Sequence, residues 1–312
     1  MGTPEFAVES LKALVEGGYN VVGVVTMPDK PMGRHGSVLR PSPVKEYALE
    51  HNLNILQPDN LKDPVFLDQL RALKADLQIV VAFRMLPEVV WNMPPMGTFN
   101  LHASLLPQYR GAAPINWAVM NGDKETGITT FFLKHEIDTG DIISQERIPI
   151  HEDDNVEIIH DKLMCLGSRL VVRTVDELIK GGVRAIPQSQ LSNPGEQLRP
   201  APKIFKETCE IEWERGLEKV YNHIRGLSPY PAAWTMLVTP DKRQKLKIYE
   251  TMKEESQHNC PTGTVLTDLK DYFKIALPGG YLHVTQLQLA GKRRMDVKEF
   301  LCGWRDKDAR VE

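Results

Sequence analysis

With 312 residues, of which 42% are hydrophobic and 25% charged, and a formal net charge of −3, the chain has an ordinary soluble globular composition and room for two domains of about 150 residues each. No apolar run reaches membrane-spanning length and no signal-peptide pattern opens the chain, which predicts a cytoplasmic protein with no membrane partner. Cys165, Cys209, Cys260 and Cys302 lie far apart with no Cys-x-x-Cys pair, and no His-Glu-x-x-His occurs, so neither a disulfide frame nor a metal site is implied. From Arg199 onward, 20 Lys and Arg stand against 16 Asp and Glu, a net of +4. That excess is a weak sign of a polyanionic partner and is explained about as well by solvated surface.

Thr3 predicts a helix N-cap with Pro4 at the first helical position, followed by Phe6, Val8, Leu11, Leu14 and Val15 at helical spacing. Gly17 and Gly18 end that helix, and residues 21–25 read as a buried strand. Residues 27–45 hold four prolines, two glycines and the cations Lys30, Arg34, Arg40 and Lys45, the composition of a long basic loop rather than an element. Such a loop beside a catalytic face suits a phosphate-bearing substrate. Helices are predicted from residue 44 to 49 and over 63–73, and an apolar strand over 77–82.

Residues 98–102 alternate, so Phe99 and Leu101 share one strand face and Asn100 and His102 the other. Pro107 lacks an amide hydrogen and stops the strand. Gly111, Ala112, Ala113 and Pro114 then lead into a helix over 115–120. An amide and an imidazole thus lie side by side at a strand end, where open α/β sheets bind ligands. Taken alone, an Asn-x-His pair is usually a satisfied polar edge. A strand over 127–133 leads to the turn Asp138-Thr139-Gly140-Asp141, for which an Asx turn is the plain account. Residues 155–179 have a helical pattern. Residues 181–202 shift to Gln, Ser, Asn, Pro and Gly, a linker composition. Beyond them come a strand over 208–213, a helix over 217–224, a turn-rich connection over 226–235, and strands over 246–251, 263–266, 272–277 and 281–287, the pattern of a small β-barrel.

The unbroken string from Asn100-Leu101-His102-Ala103-Ser104-Leu105-Leu106-Pro107 to Arg110-Gly111-Ala112-Ala113-Pro114-Ile115 resembles the signature of the folate-dependent formyltransferases. Ile137-Asp138-Thr139-Gly140-Asp141 resembles a second pattern of that family. The Arg-Gly-Ala-Ala-Pro-Ile extension, the basic loop and Gly226-Leu-Ser-Pro-Tyr-Pro231 resemble its tRNA-specific branch. The resemblance implies an α/β fold: a Rossmann-like, open, parallel-rich sheet flanked by helices over 1–183, a linker over 184–204, and a smaller OB-like β-barrel over 205–312 that contacts tRNA. It implies formyl transfer from 10-formyltetrahydrofolate to the α-amino group of methionyl initiator tRNA, giving formylmethionyl-tRNA for bacterial translation initiation, by a monomer without metal.

Carried onto this chain, the catalytic residues are Asn100, His102 and Asp138. Asn100 and His102 would donate to the oxygen that gains negative charge, and Asp138 would hold the imidazole and favour its protonated form. Ser104, Leu105, Leu106 and Pro107 would line the folate site. Lys30, Arg34, Arg40, Lys292, Arg293 and Arg294 would meet the tRNA, although a three-residue basic run is more often plain surface. Two departures stand out: residues 35–38 replace the usual loop lysines, and Arg84, read as a surface residue, replaces a glycine. The Gly2-Thr-Pro-Glu-Phe-Ala7 turn follows an apolar strand in the family. Only Met1 and Gly2 precede the first helix here, so that strand is expected to be missing, with Met1 an internal methionine taken as the start. Alternatives are a formyltransferase acting on an amino sugar nucleotide and a catalytically inactive folate- or RNA-binding homologue. No Gly-x-Gly-x-x-Gly loop follows a strand, which disfavours an oxidoreductase.

Overall fold

The computed structural model describes residues 1–32, 38–191, 195 and 197–312; Arg34 of the basic loop lies outside them. Two units emerge: Met1–Gly111, Thr126–Ile148 and His160–Pro200 form the first, and Ala112–Glu125, Pro149–Ile159 and Ala201–Glu312 the second.

The first unit is α/β. Helices α1 (Glu5–Glu16), α2 (Pro43–Glu50), α3 (Pro64–Ala72) and α4 (Glu88–Trp91) alternate with strands β1 (Val24–Val25), β2 (Lys30–Met32), β3 (Val38–Arg40), β4 (Ile55–Leu56), β5 (Gln78–Val81) and β6 (Thr98–His102). The sheet continues through β7 (Glu125–Phe132) and β8 (Ile142–Pro149) in the order β5-β6-β7-β8, with β5 parallel and β7 antiparallel to β6. Strand β6 matches its expected bounds. Its Phe99 and Leu101 are buried, as the alternation requires.

Strands β1 and β4 form a separate parallel pair. Gly2 spans the gap between that pair and β5: its N–H donates to the Val25 carbonyl at 3.0 Å, and it bridges Val81 in parallel. A cavity of about 390 Å³ opens there, lined by residues such as Leu14, Val24, Ile79 and Val175. The strand expected over 21–25 shrinks to two residues because β4 pairs one edge and Gly2 alone meets the other among the described residues. The N-terminal cap also differs from expectation. Pro4 holds the cap position of α1 without a side-chain bond, and the Thr3 hydroxyl is buried with no partner among the described residues. The basic stretch over 27–45, expected to lack elements, contains the β2–β3 hairpin.

The second unit takes α5 (Pro114–Met120) from the stretch after the Asn-x-His strand. The long helix α6 (Val156–Ile179) begins in it and ends in the first unit. Its own elements are α7 (Leu217–Arg225), β9 (Ala233–Val238), β10 (Arg243–Glu255), β11 (Val265–Thr267), β12 (Phe273–Leu277), β13 (Gly280–Leu289), β14 (Met295–Asp296), α8 (Val297–Cys302) and β15 (Arg310–Val311). The antiparallel order is β11-β12-β13-β10-β9-β15. A Thr264–Arg310 bridge, with Val311 N–H donating to Gly263 O at 2.8 Å, brings the last strand back to the first and closes the barrel. Closure leaves no long free edge. Leu237, Leu246, Ile248, Phe273, Ile275 and Leu282 fill the interior without solvent contact. The strand expected over 208–213 is an extended segment between two 3-10 turns, joined to β9 by one bridge, Glu210–Trp234. Its period-two pattern was real, since Cys209, Ile211 and Trp213 are buried, but burial alternation does not require a ladder. No described helix is long and apolar enough to cross a membrane.

Candidate active site

Strand β6 puts Asn100 and His102 on one face, at the end where the chain leaves the sheet for the loop over 103–113. The chain returns to this point after β7, where Asp138 sits in a turn. The His102 Nδ1 to Asp138 Oδ2 distance is 3.8 Å, and both side chains are nearly buried. Asp138 Oδ2 also accepts the Gly111 N–H at 2.9 Å. The three expected catalytic residues are therefore brought together, with Asp138 beyond hydrogen-bond range of the ring. The ring's other nitrogen, Nε2, lies 2.9 Å from the Tyr109 carbonyl. A carbonyl can only accept, so Nε2 carries the hydrogen and Nδ1 of the neutral ring presents a lone pair. The imidazole N–H expected to face a formyl oxygen is given to the backbone instead.

Asn100 is the odd member of the group. Its side-chain oxygen is buried and has no hydrogen-bond partner among the described residues. Leaving such a group unpaired costs about 1–3 kcal/mol, and orphaned polar groups in native folds call for a functional reason.

The loop is held from behind. Ser104 Oγ donates to Gln108 O at 2.7 Å, Thr129 Oγ1 donates to Ser104 O at 2.7 Å, and Gln145 Nε2 donates to Leu106 O at 2.7 Å. Ser104, Leu106 and Pro107 are buried, with Leu106 packed on Phe131 and Ile142. Leu105 is the half-buried one of the four expected folate-lining residues.

Sequence reasoning missed Gln188, which falls in the stretch read as linker. Its Nε2 donates to Asp138 O at 2.8 Å and Gly140 O at 2.9 Å, and its Oε1 accepts Arg110 Nη2 at 2.6 Å. Arg199, from the same stretch, gives its carbonyl to Tyr109 N–H at 2.7 Å and stacks its guanidinium 4.7 Å from the Tyr109 ring. Nothing in their local composition marks either residue. Arg84, read as surface, is half-buried and donates to Asp59 O at 2.7 Å.

Of the expected tRNA contacts, Lys30 and Arg40 lie directly opposite one another on β2 and β3, both exposed. Like charges so placed are destabilising unless an anion joins them. On the barrel, Arg293 pairs with Glu299, and Arg294 with Glu250 at 3.0 Å.

The model of the formyl transferase family matches residues 1–175, and that of the formyl transferase C-terminal domain matches residues 203–305. The methionyl-tRNA formyltransferase of Phocaeicola vulgatus is 67% identical over 99% of this chain and 95% of its own length. That of Parabacteroides distasonis is 64% identical over 98% and 94%. In fold, the chain is similar to the N-formyltransferase from Helicobacter canadensis solved with folinic acid and dTDP-3-aminofucose, with a TM-score of 0.62 at 17% identity over 94% of this chain and 97% of that one. Matched by both models and by relatives over nearly its whole length, the chain belongs to the formyl transferase family.

Proposed function

We propose that this chain transfers a formyl group from 10-formyltetrahydrofolate to the α-amino group of methionyl initiator tRNA. The observation that carries the acceptor is the identity of 64–67% to relatives named for that reaction; the amino-sugar enzyme shares the fold at 17%. The residues fit a folate-borne formyl group. Asn100 offers an amide whose oxygen has no partner among the described residues, and Leu105 is half-buried in the loop read as lining the donor. The donor supplies the formyl carbon; the protein supplies the charge and proton handling.

Acyl transfer builds negative charge on the formyl oxygen, and Asn100 Nδ2 is the fixed donor for it. The attacking amine must be neutral and must lose a proton. With Nε2–H committed to Tyr109 O, His102 Nδ1 is the nitrogen able to take that proton. The imidazolium then forms 3.8 Å from the Asp138 carboxylate, which stabilises it, and it gives the proton to the departing folate nitrogen as the carbon–nitrogen bond to the donor breaks. Lys30, Arg40 and the 292–294 cluster are carried forward as tRNA contacts, with the barrel over 205–312 as the tRNA-facing domain.

The test is transfer of labelled formyl from 10-formyltetrahydrofolate to methionyl initiator tRNA, run beside an amino sugar nucleotide and a His102→Ala variant. Transfer to the tRNA that the variant loses supports the reading. Transfer to the sugar alone, or undiminished transfer by the variant, overturns it.

A further inference from the structure

We propose that Arg110 holds the last phosphodiester of the acceptor tRNA, the one that joins the aminoacylated terminal nucleotide to the chain. The role rests on the methionyl-tRNA acceptor proposed above and states how the catalytic site itself grips that acceptor.

Arg110 is the only charged residue between Ala103 and Ile115, and formyl transfer by Asn100, His102 and Asp138 makes no use of it. Both of its neighbours in sequence meet the catalytic pair. Tyr109 O accepts from His102 Nε2 at 2.9 Å, and Gly111 N–H donates to Asp138 Oδ2 at 2.9 Å. Arg110 is half-buried, and its guanidinium is held along one edge, with Nε and Nη2 donating to Gln188 Oε1 at 3.0 and 2.6 Å. Gln188 also donates to the Asp138 and Gly140 carbonyls, so the guanidinium is tied to the turn that carries the catalytic carboxylate.

The Gln188 amide is neutral and leaves the charge of Arg110 uncancelled. No carboxylate lies within ion-pair distance of Arg110 among the described residues. A charge withdrawn from water is ordinarily paired. The side left open is the end-on fork of Nη1 and Nη2, the edge that takes two oxygens of a phosphate at once.

The position of Arg110 selects the anion. The attacking amine gives its proton to His102 Nδ1, so it approaches that face of the imidazole, which Asp138 and Gly111 bound. In methionyl-tRNA only the ester and one ribose separate the α-amino group from the last phosphodiester. A long cationic side chain beside Gly111 is within reach of that phosphate while the amine is at the imidazole. The donor's carboxylates are the competing anion, and the test separates the two.

The test compares methionyl initiator tRNA with the same tRNA carrying a neutral methylphosphonate at its last internucleotide linkage, at one fixed ionic strength. The parent should formylate the neutral form with kcat/KM lower by roughly 10- to 100-fold, the size of a charge-assisted contact. Arg110→Gln, whose amide can still reach Gln188, should lose a similar factor on natural tRNA and treat the two tRNAs alike. The loss should come through KM for tRNA, with kcat at saturating tRNA and KM for the donor close to the parent's. Arg110→Lys keeps the charge without the fork and should fall between the two, and it carries the test should Arg110→Gln fail to fold. A purely structural role would slow both tRNAs and leave the preference between them intact. The proposal is overturned by a parent that does not distinguish the two tRNAs, or by an Arg110→Gln variant that distinguishes them as the parent does. A rise in KM for 10-formyltetrahydrofolate alone also overturns it and assigns the fork to the donor's carboxylates. Natural methionyl-tRNA left unformylated by the parent overturns the acceptor reading and this contact with it, whereas formylation without the phosphate preference overturns the contact alone.

Discussion

Replacing Asn100 with alanine should separate chemistry from stability. In the oxyanion role, loss of the amide removes one fixed donor and should lower kcat/KM by about 100- to 1,000-fold, or about 2.7–4 kcal/mol of transition-state stabilisation. The folded state should not suffer in proportion. The Asn100 side-chain oxygen is buried with no partner among the described residues, so its removal relieves about 1–3 kcal/mol of unpaired desolvation, against roughly 1 kcal/mol of packing that goes with a short, partly exposed side chain. The melting temperature should therefore stay level or rise by a few degrees, at about 2–4 °C per kcal/mol for a domain of this size. Formyl transfer under saturating donor, with differential scanning calorimetry of the same preparations, reads both quantities. A variant that keeps more than a tenth of parental kcat/KM refutes the donor role. One that loses activity and several degrees together makes Asn100 a structural residue whose activity loss is secondary.

Asp138→Asn keeps the shape and tolerates the left-handed backbone at that position, φ 55°, but removes the charge beside His102. It should cost about 100-fold in kcat; a kcat close to that of the parent would count against the pair. Gln188→Ala frees the Asp138 and Gly140 carbonyls and Arg110. As a positioning residue it should lower kcat about 10-fold with little change in KM for tRNA, and an effect confined to KM would argue otherwise. Burial, followed by Arg215, pushes the His223 imidazole below its ordinary value. The unfolded chain then binds the extra proton first, so this stability is present above about pH 6.5 and lost as pH falls through the folded value. The parent's melting temperature should fall more steeply from pH 7 to 5 than that of His223→Leu; parallel curves would refute this.

The catalytic strand was legible because its signal is local. Period-two alternation over 98–102 fixes which residues share a face, and Pro107 fixes where the strand must stop. The barrel was legible for the same reason, through alternation around residues such as Leu246, Ile248 and Ile275. What stayed hidden was carried by contacts far apart in sequence. Gln188 reaches Asp138 across 50 residues, and Arg199 reaches back to Tyr109, from a stretch whose composition reads only as linker. The shortened β1 depends on which neighbours its edges meet, information that Val24 and Val25 do not contain. The tautomer of His102 is set by a carbonyl, and backbone carbonyls leave no mark in a sequence.

That carbonyl is itself held in an uncommon conformation. Tyr109 has φ 60°, a left-handed backbone that costs a bulky L-residue roughly 1–3 kcal/mol. Its ring is 3% exposed, so burial contributes about 1.5–3 kcal/mol in return, and the Arg199 carbonyl and guanidinium hold its N–H and ring. The two terms are close in size, and the conformation survives because the packing around it over-determines it. Its consequence is to aim the Tyr109 carbonyl at His102 Nε2, while Gly111 and Gln188 fix Asp138 at the other nitrogen. The imidazole is thus oriented before any substrate arrives, with Nδ1 as its one basic nitrogen. The loop that follows the Asn-x-His strand sets the tautomer of the histidine as well as framing the site.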